Sequence, residues 1–218
     1  MFRTIFATTV VLCAMVFGAA AEPKENLPPA ALPLLAKRYH VLGNNLGDFD
    51  KWNTFIADHE KLGGLSPDQA LFAKKLTSLS VRNMLIRVQH FVSKSGGYHY
   101  ASDQVIYGVE DYWAPPRLFR NRKRGDCEDF ALLKYMLLRG AGIPATSLYV
   151  TLVTKTGLPT PHMILIVALD EKTLIVLDNF ENTPKIYDQD SPYRLMYAVN
   201  EDGWWLLVQQ QILARARQ

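Results

Sequence analysis

Residues 125–140 read GDCEDFALLKYMLLRG, and the fold follows from them. Phe130, Leu132, Leu133, Met136, Leu137 and Leu138 fall on nearly every side of a helical projection, and a helix that is apolar all round belongs inside a core. Gly140 and Gly142 stop it. The spacing predicts a buried central helix from Cys127 to about Arg139. Asp126 stands at the N-cap position, which makes Cys127 the first helical residue, where free backbone N–H groups and the helix dipole favour a thiolate. A cysteine nucleophile prepared in this way still needs a base within hydrogen-bond reach and a group that orients the base.

Upstream of this helix the pattern is helical, over Leu34–Val41, Phe49–Leu62 and Pro67–Val92. Ser66 is the N-cap and Pro67 the first residue of the last of these, and Gly63-Gly64 separates it from its neighbour. Residues 96–125 carry Gly96, Gly97, Gly108, Pro115 and Pro116 and read as a long irregular loop, a kind usually kept for function. Downstream, β-branched and apolar runs at Leu148–Thr154, Met163–Leu169 and Leu174–Leu177, with weaker ones near Ile186 and at Leu195–Val199, predict an antiparallel sheet. The C-terminal segment from Trp204 reads as a strand followed by a basic tail.

The base is sought among His40, His59, His90, His99 and His162, of which His162 alone stands at the mouth of a core strand, after Pro159-Thr160-Pro161. Asp178 closes the next strand. If the two strands form a hairpin, His162 and Asp178 face each other about residue 170, within the expected turn Asp170-Glu171-Lys172-Thr173. Cys127, His162 and Asp178 then make a Cys-His-Asp triad. Each residue also has a plainer use: a satisfied core histidine, an Asp-Asn turn at Asp178-Asn179, and a capping pair in Asp126 and Asp129.

The chain has 218 residues, with 24 basic and 21 acidic side chains and a formal charge of +3. That is far short of the excess that marks a dedicated nucleic-acid binder, and no nucleic-acid partner is expected. Arg3, an apolar run from Ile5 to Phe17 and small residues up to Ala21 predict a cleavable signal peptide over residues 1–21, ahead of a single domain at 22–218. Residues 22–33 are proline-rich and read as an exposed arm. Cleavage removes Cys13 and leaves Cys127 as the one cysteine of an exported protein in an oxidising compartment, where it has no partner for an intramolecular disulfide. One cysteine builds no structural zinc site of the usual kind, and no phosphate-binding glycine loop, dinucleotide fingerprint or G-x-S-x-G elbow is present. Asp126, Glu128 and Asp129 crowd three carboxylates into four residues, a set of hard oxygen ligands that suits Ca²⁺.

Taken together, Asp103, Asp111-Tyr112-Trp113-Ala114, Pro116, the GDCEDFALLKY stretch, His162-Met163, Leu177-Asp178-Asn179, Asn200 and Gly203-Trp204-Trp205 resemble the bacterial transglutaminase-like cysteine proteinases of the LapG periplasmic type. The likeness is in register from about Asp103 to Trp205. It implies an α+β fold of the papain and transglutaminase kind, with N-terminal helices and a central helix carrying Cys127 packed on an antiparallel sheet carrying His162 and Asp178. It further implies Cys127 as nucleophile, His162 as general base and acid, Asp178 as its orienting partner, and calcium as cofactor. The implied activity is periplasmic, calcium-dependent cleavage of the N-terminal region of a large surface adhesin, next to small residues, with release of the cell from its biofilm. The implied regulator is an inhibitory inner-membrane receptor for cyclic di-GMP. Two alternatives share the fold: transfer of a glutamine acyl group to an amine, and a catalytically silent binding module. The basic run Arg117, Arg120, Arg122, Lys123 and Arg124 departs from the family pattern and leaves the partner surface open.

Overall fold

The computed structural model describes residues 35–170 and 172–209. The expected signal peptide with Cys13, the proline-rich arm and the basic tail lie outside them. Strand β1 (Tyr39–Asn44) leads into helices α1 (Asp50–Lys61), α2 (Pro67–Leu76) and α3 (Val81–His90), the last running on into a π-helical turn at Phe91–Ser95. The loop region holds strand β2 (His99–Tyr100), short helices α4 (Asp103–Ile106) and α5 (Pro116–Arg122), and strand β3 (Arg124–Gly125). Helix α6 (Cys127–Gly140) is followed by strands β4 (Leu148–Lys155), β5 (His162–Ala168), β6 (Leu174–Leu177), β7 (Lys185–Ile186), β8 (Tyr193–Asn200) and β9 (Gly203–Gln209).

Every residue of α6 from Glu128 to Leu138 is buried, as its all-round apolar pattern requires. It packs on β5 and β4 on one side and on α2, α3 and α5 on the others. The sheet has seven antiparallel strands in the order β1-β9-β8-β4-β5-β6-β7. β5 is buried along its whole length, and its two faces serve two cores. Met163, Leu165 and Val167 meet the helices, while Ile164, Ile166 and Ala168 join Tyr39, Tyr149, Tyr193 and Leu207 on the other face.

Two helical expectations change. Residues 39–41, read as the end of a helix over Leu34–Val41, belong instead to the strand Tyr39–Asn44, which completes the sheet edge: Val41 pairs with Leu207, and the Tyr39 hydroxyl accepts from the Leu195 N–H at 3.1 Å. Tertiary pairing overrides a short and weak helical pattern there. The long helix read over Pro67–Val92 is broken between Leu76 and Val81. The hydroxyls of Thr77 and Ser78 donate to the carbonyls of Lys74 and Lys75, and Ser80 takes an extended conformation and begins a new helix. The expected start is confirmed by the capping box, in which Gln69 Oε1 accepts from the Ser66 N–H at 2.9 Å.

The basic run is spent largely on internal contacts. The Arg117 guanidinium donates to the carbonyls of Gly63, Gly64 and Leu65, Arg120 pairs with Asp68 at 2.7 Å, and the Lys123 ammonium donates to the Gly96 carbonyl and lies 4.2 Å from the Tyr98 ring centroid. Arg117 and Arg120 fasten α5 to the turn between α1 and α2, where Gly63 and Gly64 take φ +75° and +71°, and Lys123 ties the end of α5 to the segment after the π-helical turn.

One residue of α6 opposes the fold that surrounds it. Lys134 is fully buried and its ammonium has no hydrogen-bond partner among the described residues. Burial lowers its amine to about 7, the Asp178 carboxylate working in the opposite direction. Below pH 7 folded and unfolded chains both hold the proton, and the folded state bears the full cost of a buried ammonium. Between pH 7 and about 10.4 the unfolded amine still binds a proton that the folded one has released, so stability rises with pH across that window. Lys134→Met should abolish that rise and gain about 2–4 kcal/mol at pH 6. Urea unfolding of both proteins at pH 6 and pH 9.5 measures this, and equal pH slopes for the two would refute it.

Candidate active site

The N-terminus of α6 is held in place by the short parallel pairing of β2 with β3, Tyr100 against Gly125. A side chain at 125 has no room: a Cβ there would run into the Asp129 carboxylate and come within 2.8 Å of the Phe119 ring. Glycine at this position lets Asp129 fold back beneath the helix start. Asp126 is the N-cap residue, as expected, yet its side chain makes no capping hydrogen bond. It shares a hydrogen bond with Glu128 instead.

Cys127 is half-buried, and its thiol is free. The thiol donates to Glu128 Oε2 at 3.2 Å, and the nearby Met163 N–H favours the thiolate. The nucleophile candidate is thereby brought against the residue that follows His162. Burial first, and then the charge of Glu128, push the Cys127 thiol up. Loss of water and the two flanking carboxylates thus work against the helix terminus, which favours the thiolate.

His162 Nε2 lies 2.8 Å from Asp178 Oδ1, and both residues are buried. The pairing that brings them together is not the one expected. Leu165 pairs with Leu177 and Ala168 with Leu174, two positions away from a register that would set His162 opposite Asp178. Continued past the end of β6, the observed register reaches Phe180, whose ring stacks on His162 at 4.8 Å. Asp178 meets the imidazole diagonally, within reach because positions two apart share a face of the sheet. Both carboxylate oxygens are used: Oδ1 also accepts from the Phe180 N–H at 2.9 Å, and Oδ2 accepts from Lys155 Nζ at 2.7 Å and the Tyr193 hydroxyl at 2.9 Å. Burial alone would raise the Asp178 carboxyl, but the hydrogen bond and charge of His162 and the donors Lys155 and Phe180 N–H hold it well below the usual carboxylate range. Behind it, the Gln89 amide on α3 donates to the carbonyls of Asp178 and Glu181, both at 2.6 Å.

The three carboxylates read from sequence form part of a larger group. Asp103, Asp126 and Asp129 each bring an oxygen within 4.8 Å of the others, as do Asp103, Asp111 and Glu128. Asp103 is common to both sets. Asp103 Oδ1, Asp126 Oδ1 and Asp129 Oδ2 are buried without hydrogen-bond partners among the described residues, whereas Asp103 Oδ2 accepts from the Tyr112 N–H and Asp129 Oδ1 from the Ala114 N–H. Burial, reinforced by the charge of Asp126, raises Asp103 to about 6; burial and the hydrogen bond to Asp126 raise Glu128 to about 8. Orphaned hard oxygens on crowded carboxylates are of the kind that could hold a hard cation such as Ca²⁺.

A cleft of about 800 Å³ opens over Cys127, lined also by Trp113, Tyr197, Leu152, Met163, Asp126 and Glu128. Lys51 of α1 reaches it and pairs with Asp111. Sequence reasoning missed Asp103 as a carboxylate of the cluster and Lys155 and Tyr193 as partners of Asp178. Asp103 was legible only as a motif residue, and nothing local marks the other two, which arrive from β4 and β8.

The sequence profile of the bacterial transglutaminase-like cysteine proteinases matches residues 57–212. Among solved structures, calcium-bound LapG of Legionella pneumophila is similar with a TM-score of 0.56 and 26% identity, over 67% of this chain and 86% of that one. A second structure of Legionella pneumophila LapG gives 0.55 and 27%, over 67% and 79%, and its EGTA-treated form gives 0.54 and 27%, over 66% and 80%. No curated protein is similar enough in sequence to count as a relative. The matched span takes in Cys127, the His162–Asp178 pair and the whole carboxylate cluster, and the chain belongs to the bacterial transglutaminase-like cysteine proteinases.

Proposed function

We propose that this protein is a calcium-dependent cysteine endopeptidase of the periplasm that cuts the N-terminal region of a large surface adhesin and so frees the cell from its biofilm. An inner-membrane receptor for cyclic di-GMP holds it in check. The observation that carries the enzymatic part is the buried His162–Asp178 contact of 2.8 Å, with Cys127 and Met163, the residue after His162, lining one cleft. Membership of a cysteine proteinase family and likeness to LapG support it further.

In this reading His162, held through Nε2 by Asp178, takes the thiol proton of Cys127 as the sulfur attacks a peptide carbonyl. Unpaired N–H groups of the first turn of α6 receive the developing oxyanion. His162 then gives the proton to the leaving amine, a thioester remains on Cys127, and water deprotonated by His162 releases the acyl product. Asp103, Asp126, Glu128 and Asp129 would hold Ca²⁺, which when bound neutralises the negative charge next to the cysteine.

Cys127→Ala or His162→Ala should lower kcat/KM by about a thousandfold or more, and Asp178→Asn should leave a residue of activity. Cleavage of an adhesin N-terminal fragment reads this out, together with iodoacetamide labelling of Cys127. Full turnover in either alanine variant would rule out the triad.

Hydrolysis and acyl transfer share the thioester and differ in what accepts the acyl group. The purified protein should split the adhesin fragment into two pieces and incorporate no fluorescent amine. Amine incorporation without cleavage would make the transglutaminase reading correct.

Activity should fall with EGTA and return with Ca²⁺ but not with Mg²⁺, whose small octahedral shell fits such a cluster poorly. Asp103→Ala, Asp126→Ala or Glu128→Ala should act like the chelator. If metal-free protein, verified by elemental analysis, cleaves as fast as the Ca²⁺-loaded form, the carboxylates do not serve calcium.

A further inference from the structure

Orienting one imidazole does not need the donors that surround Asp178. Its Oδ1 serves His162 and the Phe180 N–H, and its Oδ2 serves Lys155 and the Tyr193 hydroxyl. Lys155 is the last residue of β4 and stands directly opposite Tyr193 in the β4–β8 ladder. Its side chain is only 13% exposed, and its ammonium contacts Asp178 at 2.7 Å and Glu181 at 3.3 Å. The same ammonium lies 5.2 Å from the Tyr193 ring centroid and 5.7 Å from that of Phe180, the ring stacked on His162. Lys155 and His162 therefore stand on opposite oxygens of one buried carboxylate. The remaining charged or titratable groups around that carboxylate are Tyr193 from β8, Lys134 from α6, and Glu181 through its contact with Lys155.

A carboxylate that already pairs with one cation stabilises a second one less, because the first charge offsets part of its field at short range. A carboxylate pinned at one oxygen also cannot rotate its other oxygen away from its partner. We propose that Lys155 is a positioning residue of the reaction: it holds Oδ2 of Asp178 so that Oδ1 stays on His162, and it moderates the carboxylate's hold on the imidazolium so that His162 returns its proton to the leaving amine. The proposal rests on the reading of His162 as the proton carrier. Without Lys155 the imidazolium is the one cation paired with Asp178, and the proton is held too tightly.

The test replaces Lys155 in the full chain and follows the His162 ring by NMR with labelled histidine, its signals assigned by their loss in His162→Ala. In Lys155→Met the imidazole should bind its proton about tenfold more tightly than in the unsubstituted protein. The kcat for adhesin-fragment cleavage should fall about tenfold with KM within about twofold, the signature of a group that acts on the transition state rather than on binding. Lys155→Arg, which restores charge and donor, should recover both. Should the methionine variant fail to fold, Lys155→Gln, which keeps a donor without the charge, carries the same expectation for the ring. An imidazole titration unchanged by loss of the Lys155 charge overturns the proposal, whatever happens to the melting temperature. Turnover that survives in His162→Ala would instead remove the reading beneath it, so the two failures are told apart.

Discussion

The constraint on which the rest depends is the burial of α6 against β5. A helix apolar on all sides has nowhere to go but between layers, and once there its first residue is fixed relative to the first residues of the strand it crosses. That is how Cys127 comes to lie against the Met163 N–H, one residue from His162. Displacing the helix by one turn, 5.4 Å, would break that contact while leaving the apolar packing largely satisfied. The pairing of β2 with β3 and the close approach of Asp129 to Gly125 oppose such a slip by anchoring the helix start itself.

The same burial that positions the site also strains it electrostatically. Carboxylates at 103, 126, 128 and 129 are crowded and partly orphaned, and the thiol beside them is pushed up by lost hydration and by their charge. An arrangement of this kind is costly in the chain alone and becomes favourable with a hard cation. On the far side of His162 the balance is reversed: Asp178 is oversupplied with donors and stays ionised in a buried place. One end of the site is short of positive charge and the other is rich in it, and the histidine lies between them.

Lys134 belongs to neither arrangement by direct contact. It sits two helical turns from Cys127, buried and unpartnered, at a position where an apolar side chain would pack better. Its neighbours on α6 are apolar, so the cost falls on the core that supports the site rather than on the surface.

The sequence by itself determined the elements that carry chemistry. The all-round apolar pattern of 127–139 located α6, the β-branched and apolar runs after Leu148 located β4, β5 and β6 to within a residue, and the Ser66-Pro67 signal located the start of α2. Burial leaves a periodic trace along a single element, and caps and turns leave their own local residues, so these features can be read without knowing what packs on them. Adjacency of His162 and Asp178 was legible because a hairpin joins them over a short separation. Its register was not, since a shift of two keeps every side chain on its face and costs the local pattern nothing. Only the tertiary structure decided that residues 39–44 form an edge strand, that Asp103 joins the carboxylates on α6, that the basic run clasps the α1–α2 turn, and that Lys155 and Tyr193 close on Asp178. Each of these joins elements far apart in the chain, and their meeting is set by the order of strands in the sheet and by the packing of α6, neither of which any local stretch encodes.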